Sequence, residues 1–276
     1  MKRTNLLLLL ILLPLPAAAS VILFDTGAAN LGVAAASRPD AGGKTEIEAA
    51  DDFLNVALWT INSATFTGLI VPTPAGGSPT VAAVDVEIYR VFPKDSGPAS
   101  GNVPTRANSP SDVAFDSRDS AASTLTFSIS TIGTGVTAAN SVLNGINKSP
   151  NQLTGGEGPV NGTEVTITAL FATPFNLPAD HYFFVPQVQV TGGEFYWLSG
   201  PRPIANSFAF APDLQAWIRN ESLDPDWLRV GGDILSNQVQ SFNMTFSLIG
   251  TAVPEPSTFG LVLAASAFVA LIRSRR

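Results

Sequence analysis

Apolar and polar residues alternate with a period of two along several segments in the middle of the chain. The apolar members of these segments are Val84, Val86 and Ile88; Leu125, Phe127 and Ile129; Val165, Ile167 and Ala169; and Phe242, Met244, Phe246 and Leu248. Because successive side chains of a strand point to opposite faces, this pattern buries one face and leaves the other in water, as in antiparallel sheets. About ten such segments are separated by Gly- and Pro-rich loops. The pattern predicts an all-β fold, a single antiparallel β-sandwich with a jelly-roll-like arrangement.

Three local features add detail to this prediction. Residues 181–190 and 194–198 are strand-like runs joined by Thr-Gly-Gly, which predicts a hairpin. Gly68 interrupts an apolar run and indicates a bulge or a close approach of another chain segment. Residues 212–218 are a candidate for a short helix, because Pro212 suits a first helical turn.

The N-terminal segment has a different pattern, without alternation. Lys2 and Arg3 precede an uninterrupted apolar run at residues 6–13, and a small-residue A-x-A pattern ends at Ala19. This order is typical of a secretory signal peptide, and eight apolar residues are too few for a permanent anchor. We therefore expect residues 1–19 to direct the chain to the Sec translocon and to be removed by signal peptidase.

The C-terminal segment is also apolar without alternation. Residues 259–272 are 14 residues without a charge, which as a helix would span about 21 Å of a hydrocarbon core of about 30 Å. Length alone therefore favours a terminal core helix. The segment is nevertheless apolar on every face, and a basic tail, residues 273–276, follows it. Its cationic residues are Arg273, Arg275 and Arg276. Such a tail favours a transmembrane helix with a cytoplasmic end.

A short polar stem, residues 253–258, precedes this apolar segment, and it begins with Val253, Pro254, Glu255 and Pro256. The two prolines remove backbone donors and keep the stem extended, so that Glu255 is presented outside the bilayer. By itself, Glu255 would be interpreted as a solvated charge of a linker. The order of stem, apolar segment and arginines, however, resembles the PEP-CTERM sorting signal of Gram-negative bacteria.

This resemblance implies a route and a set of partners. The chain would be exported and anchored in the inner membrane by its C-terminal helix, with the remaining domain in the periplasm. An exosortase would then process it near Pro-Glu-Pro, and the product would reach the cell surface or the extracellular matrix. Residues 50–53, 86–93 and 108–121 are also similar to a recurring β domain of PEP-CTERM proteins. We therefore expect residues 20–252 to form one domain, and the resemblance implies no activity for it.

Composition limits the partners of this domain. Five of the 15 basic residues and one of the 22 acidic residues lie in the two terminal segments, which leaves 10 against 21 and a net charge of −11. Such a surface disfavours nucleic acid and anionic lipid, whereas cations, neutral glycans or a basic protein remain open. The chain has no cysteine, which excludes disulfides, a lipoprotein anchor and a thiol nucleophile.

The sequence contains none of the common nucleophile, metalloprotease, P-loop or dinucleotide motifs. His181 is the only histidine, and its position at the start of an apolar strand favours a structural, hydrogen-bonded role. We therefore expect no catalytic activity and no required cofactor. A secreted hydrolase that uses two carboxylates is a further alternative.

Two groups of acids could hold Ca²⁺, which prefers several oxygen ligands and often binds in loops of β proteins. The candidate ligands are Asp112, Asp116 and Asp119 in one group, and Asp224 and Asp226 in the other. Neither group has the spacing of an EF-hand, and Arg118 could neutralise one acid of the first. The second group is also typical of an Asp-Pro turn.

Four tryptophans raise a further alternative, a glycan-binding surface module for an exopolysaccharide. Exposed, coplanar indole rings would favour such a module, since aromatic faces stack on sugars. Two opposed acids in a cleft would favour the hydrolase. Smooth polar faces with all four tryptophans buried would favour a non-catalytic surface or matrix protein, which is the leading hypothesis.

Overall fold

The computed structural model describes residues 19–74, 77–97, 107–146, 153–204, 208–236 and 241–253. In these ranges the chain forms fifteen strands and a π-helical turn, Val230–Leu235. The strands are β1 (Val21–Asp25), β2 (Val33–Ala36), β3 (Ile47–Asn55), β4 (Leu58–Pro72), β5 (Thr80–Arg90), β6 (Asp116–Asp119), β7 (Leu125–Ala138), β8 (Asn140–Val142), β9 (Val160–Leu177), β10 (Asp180–Thr191), β11 (Gly193–Gly200), β12 (Trp217–Asn220), β13 (Leu228–Arg229), β14 (Asn243–Met244) and β15 (Phe246–Val253). The predicted all-β class is confirmed.

The strands form two sheets. The six-stranded sheet has the order β13-β12-β3-β10-β5-β6. In the nine-stranded sheet, the long strand β4 pairs with β9 along one side and with β15 and then β11 along the other. Strands β1, β2, β8, β14 and β7 extend this sheet. The pairs are antiparallel, as predicted, except that β2 and β8 run parallel. The jelly-roll arrangement stays a prediction.

Aromatic side chains join the two sheets in one shared core. Phe184 of β10 stacks on Phe246 of β15, with ring centroids 4.9 Å apart and an angle of 7° between the planes. Phe53 of β3 stacks on Trp59 of β4 at 6.2 Å. Each pair links a strand of the six-stranded sheet to a strand of the nine-stranded sheet, so the apolar faces that the sequence predicts meet across the core.

The predicted alternation is found most clearly in β5. Val84, Val86 and Ile88 are buried, whereas Asp85 and Glu87 on the other face are partly exposed. Strand β7 differs, because Ile129 on its predicted apolar face is 39 % exposed. Among the described residues β7 pairs only with β9, so it forms an edge of the sheet with a neighbour on one side.

Two sequence predictions about local structure are wrong. The runs at residues 181–190 and 194–198 are strands, but they do not form a hairpin, since β10 belongs to the six-stranded sheet and β11 to the other. The chain crosses between the sheets at Gly192, whose φ of +73° suits glycine. Residues 212–218 do not form a helix. Instead, Trp217 and the next residue begin β12 and pair with β3, where the apolar side chains are buried.

The prediction for Gly68 is confirmed as a close approach. A Cβ atom at this position would lie 2.3 Å from the Phe195 ring and 2.6 Å from the Tyr196 carbonyl oxygen, both on the neighbouring strand β11. Glycine is therefore required here by packing, because any larger residue would overlap these atoms.

The terminal predictions lie mostly outside the described residues. Residues 1–18 of the predicted signal peptide lie outside the described ranges. The same holds for the stem, the apolar segment and the arginines from residue 254 onward. In the ranges that the structure describes, no helix is both long and apolar enough to cross a membrane.

Candidate functional site

The C-terminal strand β15 leads directly into the predicted sorting motif. It lies between β1 and β4, and its last residues, Ala252 and Val253, pair with Trp59 and Leu58. Val253 is the first residue of the predicted motif, whereas Pro254, Glu255 and Pro256 lie outside the described ranges. Because proline has no N–H to donate, Pro254 cannot continue the hydrogen-bonded ladder. Strand β15, the last described strand, thus reaches the first residue of the predicted motif.

The two predicted processing points lie at the same end of the nine-stranded sheet. Strand β1 starts two residues after Ala19, the predicted end of the signal peptide. It runs antiparallel to β15, and Val21 at its start pairs with Gly250 near the end of β15. Signal removal and processing of the C-terminal motif would therefore take place at neighbouring positions.

The first group of candidate Ca²⁺ ligands is divided among protein partners. Asp112 accepts a hydrogen bond from the Gly97 amide at 2.9 Å. Asp116 forms a bidentate ion pair with Arg118, as the sequence indicated for one of these acids. Asp119 lies opposite another acid, Asp85, across the β5–β6 pair. The structure thus gives each carboxylate of this group a separate environment.

The second group does not form a ligand set either. Asp224 forms an ion pair with Arg219 at 2.9 Å, while Asp226 is fully buried two residues further along the chain. In the described part of the chain, no group of three or more histidine, aspartate or glutamate side chains has an arrangement that could hold a metal ion. Ca²⁺ binding at these acids therefore stays a prediction from sequence.

The four tryptophans are all buried. Trp59, Trp197, Trp217 and Trp227 are 7 %, 0 %, 2 % and 1 % exposed. None of them offers a ring face on which a sugar could stack at the surface. Their burial meets one part of the condition that favours a non-catalytic body, which stays a prediction.

His181 is held by a buried acid. Its Nε2 atom lies 2.5 Å from Oδ2 of Asp52, which also accepts a hydrogen bond from the Leu214 amide at 3.1 Å. This contact joins β10 to β3 and to the segment before β12. The geometry agrees with the structural, hydrogen-bonded histidine that the sequence favoured.

Sequence reasoning missed the most unusual feature, a pair of adjacent buried acids in β3. Asp51 and Asp52 are 0 % and 1 % exposed and point to opposite faces of the strand. Oδ2 of Asp51 accepts a hydrogen bond from the Met244 amide at 2.8 Å. Burial raises the pKa of both carboxyls, and the Asp52 charge raises the pKa of Asp51 further. The occurrence of two consecutive acids inside an apolar strand was the sequence signal that could have revealed this pair.

Asp213 connects these acids to a cavity. Its charge raises the pKa of both Asp51 and Asp52, and its own pKa is raised by burial and lowered by Arg202. Asn243 donates a hydrogen bond to its Oδ2 atom at 3.3 Å. A cavity of about 300 Å³ adjoins it. The cavity is lined by Ala107, Asn108, Arg202, Asp213, Leu214, Gln215, Trp217, Arg229 and Ser241.

Comparison with known proteins identifies the C-terminal segment. The family model of the PEP-CTERM protein-sorting motif matches residues 252–276, so the match begins within the last two residues of β15. No curated protein and no solved structure matches the chain significantly. The motif contains the four residues Val253, Pro254, Glu255 and Pro256 that the sequence singled out, as well as the arginines at its end. The chain is therefore a PEP-CTERM sorting domain-containing protein.

Proposed function

We propose that this protein is an exported cell-surface or matrix protein whose β body has no catalytic activity and which an exosortase processes near Pro-Glu-Pro. The observation that carries the proposal is the match of the sorting motif to residues 252–276. In this proposal, residues 1–19 are the signal peptide, and residues 259–272 cross the inner membrane as a helix. The arginines after this helix stay in the cytoplasm, and the body waits in the periplasm.

The position of β15 supports a defined order of events. Strand β15 pairs with β1 on one side and β4 on the other, so the nine-stranded sheet is complete only when β15 has been translocated. The body can therefore fold fully while the C-terminal helix still holds it. Since β15 reaches the first residue of the motif, the exosortase would act close to the folded sheet.

Burial of the tryptophans and pairing of the acids support a non-catalytic body. All four indoles are buried, and the surface carboxylates of Asp116 and Asp224 are paired with arginines. A glycosidase needs two carboxyls about 5–9.5 Å apart across an accessible sugar. Asp51 and Asp52 are two adjacent carboxyls, but both are buried and point to opposite faces of β3.

The test is the intact mass of the protein from its native host, with and without the exosortase. We expect loss of residues 1–19 in both strains and loss of the C-terminal segment after about Val253 only when the enzyme is present. Glu255→Ala should leave the tail in place, because it removes the charge from the stem. Glu221→Ala, which changes an exposed acid of the body, is the matched control and should be processed normally. Retention of the tail in the wild-type protein despite an active exosortase would refute the proposal.

A further inference from the structure

The end of the body at which β15 finishes carries exposed apolar side chains. Nine large hydrophobic side chains are exposed in the described part of the chain, and four of them lie at this end: Val21, Ile22, Val56 and Leu58. Leu58 pairs with Val253, the last residue of β15, and Val21 pairs with Gly250. Val56, in the turn between β3 and β4, is 79 % exposed. Exposed apolar side chains that cluster, unlike single ones, mark an interaction site.

Hydrogen bonds fix the turns at this end to one another. Asn55 is 1 % exposed, and its Nδ2 group donates to the carbonyl oxygens of Leu177 and Pro178 at 3.0 and 2.7 Å. Its Oδ1 atom accepts from the Asp180 amide at 3.0 Å. The turn between β3 and β4 is thereby joined to the turn between β9 and β10. The exposed side chains of the two turns are therefore presented together on a fixed framework.

The same end is free of charged side chains over four chain segments. Residues 19–24, 53–62, 175–179 and 246–253 contain no acid and no base. Asp180, directly after the third segment, is paired with Lys94 at 2.5 Å. The body as a whole is strongly acidic, so this end differs from the rest of the chain in charge as well as in apolar exposure. It suits a partner that offers apolar groups and little charge.

The proposed anchor brings one such partner close. Residues 254–258 are five residues between the end of β15 and the apolar segment 259–272. At ~3.6 Å per extended residue they span at most about 18 Å. Headgroups occupy about 5–8 Å of this distance, since a bilayer of ~40–45 Å has ~30 Å of hydrocarbon. The exposed side chains beside Val253 are therefore held within reach of the bilayer surface.

We propose that this end of the body docks on the bilayer, with Val56 and Leu58 inserted among neutral lipid headgroups and Val21 and Ile22 beside them. The inference rests on the proposed C-terminal anchor and goes beyond it, because it assigns lipid contact to the folded body itself. Insertion is favourable in proportion to the apolar area that leaves water. Docking would fix the orientation of the body and hold the Pro-Glu-Pro motif at one height above the membrane for the exosortase.

The experiment uses the protein purified from a native host without the exosortase, so that the C-terminal segment is retained, and reconstituted in phosphatidylcholine vesicles. Because the chain has no cysteine, Ala179→Cys and Thr191→Cys each place a single fluorescent label at an exposed position. Ala179 lies in the turn at the docking end. Thr191 lies close to Gly193, which pairs with Pro72 at the other end of β4. We expect doxyl-labelled lipid to quench the label at residue 179 strongly and the label at residue 191 weakly.

Val56→Asn combined with Leu58→Asn tests the apolar contact. Both side chains are exposed, so the double variant should keep the fold, and quenching at residue 179 should fall toward the level at residue 191. Ile132→Asn, at a 56 % exposed position of β7, is the matched control and should leave the quenching unchanged. Equal quenching of the two labels, or quenching that the double variant does not reduce, would overturn the docking. An emission shift at residue 179 that depends on protein density and not on doxyl lipid would overturn it too, because a second copy would then cover this end.

Flotation of the vesicles measures the anchor separately. The wild type and the double variant should both float, because the C-terminal segment holds them whether or not the body docks. A chain that does not float would refute the proposed anchor and the docking with it. A chain that floats without quenching at residue 179 would refute the docking alone.

Discussion

Asp85, in the six-stranded sheet, allows a test of how a partly buried acid makes the stability of the fold depend on pH. It lies on β5 directly opposite Asp119 of β6. Its Oδ1 atom is buried and has no hydrogen-bond partner among the described residues. The pKa of Asp85 is raised from its usual 3.8 to about 7, chiefly by burial and further by the hydrogen bond and charge of Asp119 and by the charge of Glu46. Between about pH 4 and pH 7, the folded protein therefore holds a proton on Asp85 that the unfolded chain has lost.

The sign of the pH dependence follows from this difference. Asp85 contributes stability that is complete below about pH 4 and is lost as the pH rises through about 7. A change in pKa from 3.8 to about 7 corresponds to about 4 kcal/mol at 1.36 kcal/mol per pKa unit. Because the side chain is only partly buried, screening by water reduces this contribution to about 2 kcal/mol.

Asp85→Asn removes the ionisation and leaves an amide that can donate to Asp119. We expect the variant to be about 2 kcal/mol more stable than the wild type at pH 9 and to match it at pH 4. Chemical denaturation of the full-length chain in detergent, followed by tryptophan fluorescence, measures both values. Glu221→Gln, which alters an exposed acid, is the control for net charge and should give no such crossover. A variant that loses stability between pH 5 and pH 9 as steeply as the wild type would refute the reasoning.

Two further predictions concern packing and a buried ion pair, and both are measured by chemical denaturation. Gly68→Ala should lower the free energy of unfolding by about 1–3 kcal/mol, because its Cβ would overlap the Phe195 ring. Gly232→Ala, whose nearest contact would be 3.5 Å, should change it little, and equal effects would contradict the packing account. Arg219→Met should cost about 3–5 kcal/mol by leaving Glu48, which is 3 % exposed, without its ionic partner. Adding Glu48→Leu should restore most of this loss, and no recovery would show that the charge itself is not the cause.

The strands themselves were predictable from sequence, because their signal is local. The alternation of Val84, Val86 and Ile88 with acids depends only on the geometry of an extended chain. The close approach at Gly68 was also predictable, since a glycine inside an apolar strand weakens the strand unless a bulge or a neighbouring segment requires it. In both cases the information lies within a few residues of the element concerned.

The partners of the strands were not predictable in the same way. Residues 181–198 have the alternation and the glycines of a hairpin, but β10 and β11 belong to different sheets. A glycine at φ +73° can turn the chain back within one sheet or carry it across to the other. Residues 212–218 begin like a helix, but pairing of Trp217 with Ala50 in β3 gives a strand. Tertiary burial overrides the local preference there.

The candidate sites also differ in whether local sequence or tertiary contacts define them. The sequence by itself determined the sorting motif, predicted at residues 253–276 and matched by the family model at residues 252–276, because the motif is a linear order of prolines, an apolar segment and arginines. The polar cavity lined by Arg202, Asp213 and Trp217 was decided only by the tertiary structure, because these residues form no sequence motif and come together through burial. The contact between Asp52 and His181 joins residues 129 positions apart. Such a contact is set by which strands become neighbours, and that choice is made by the packing of the whole core.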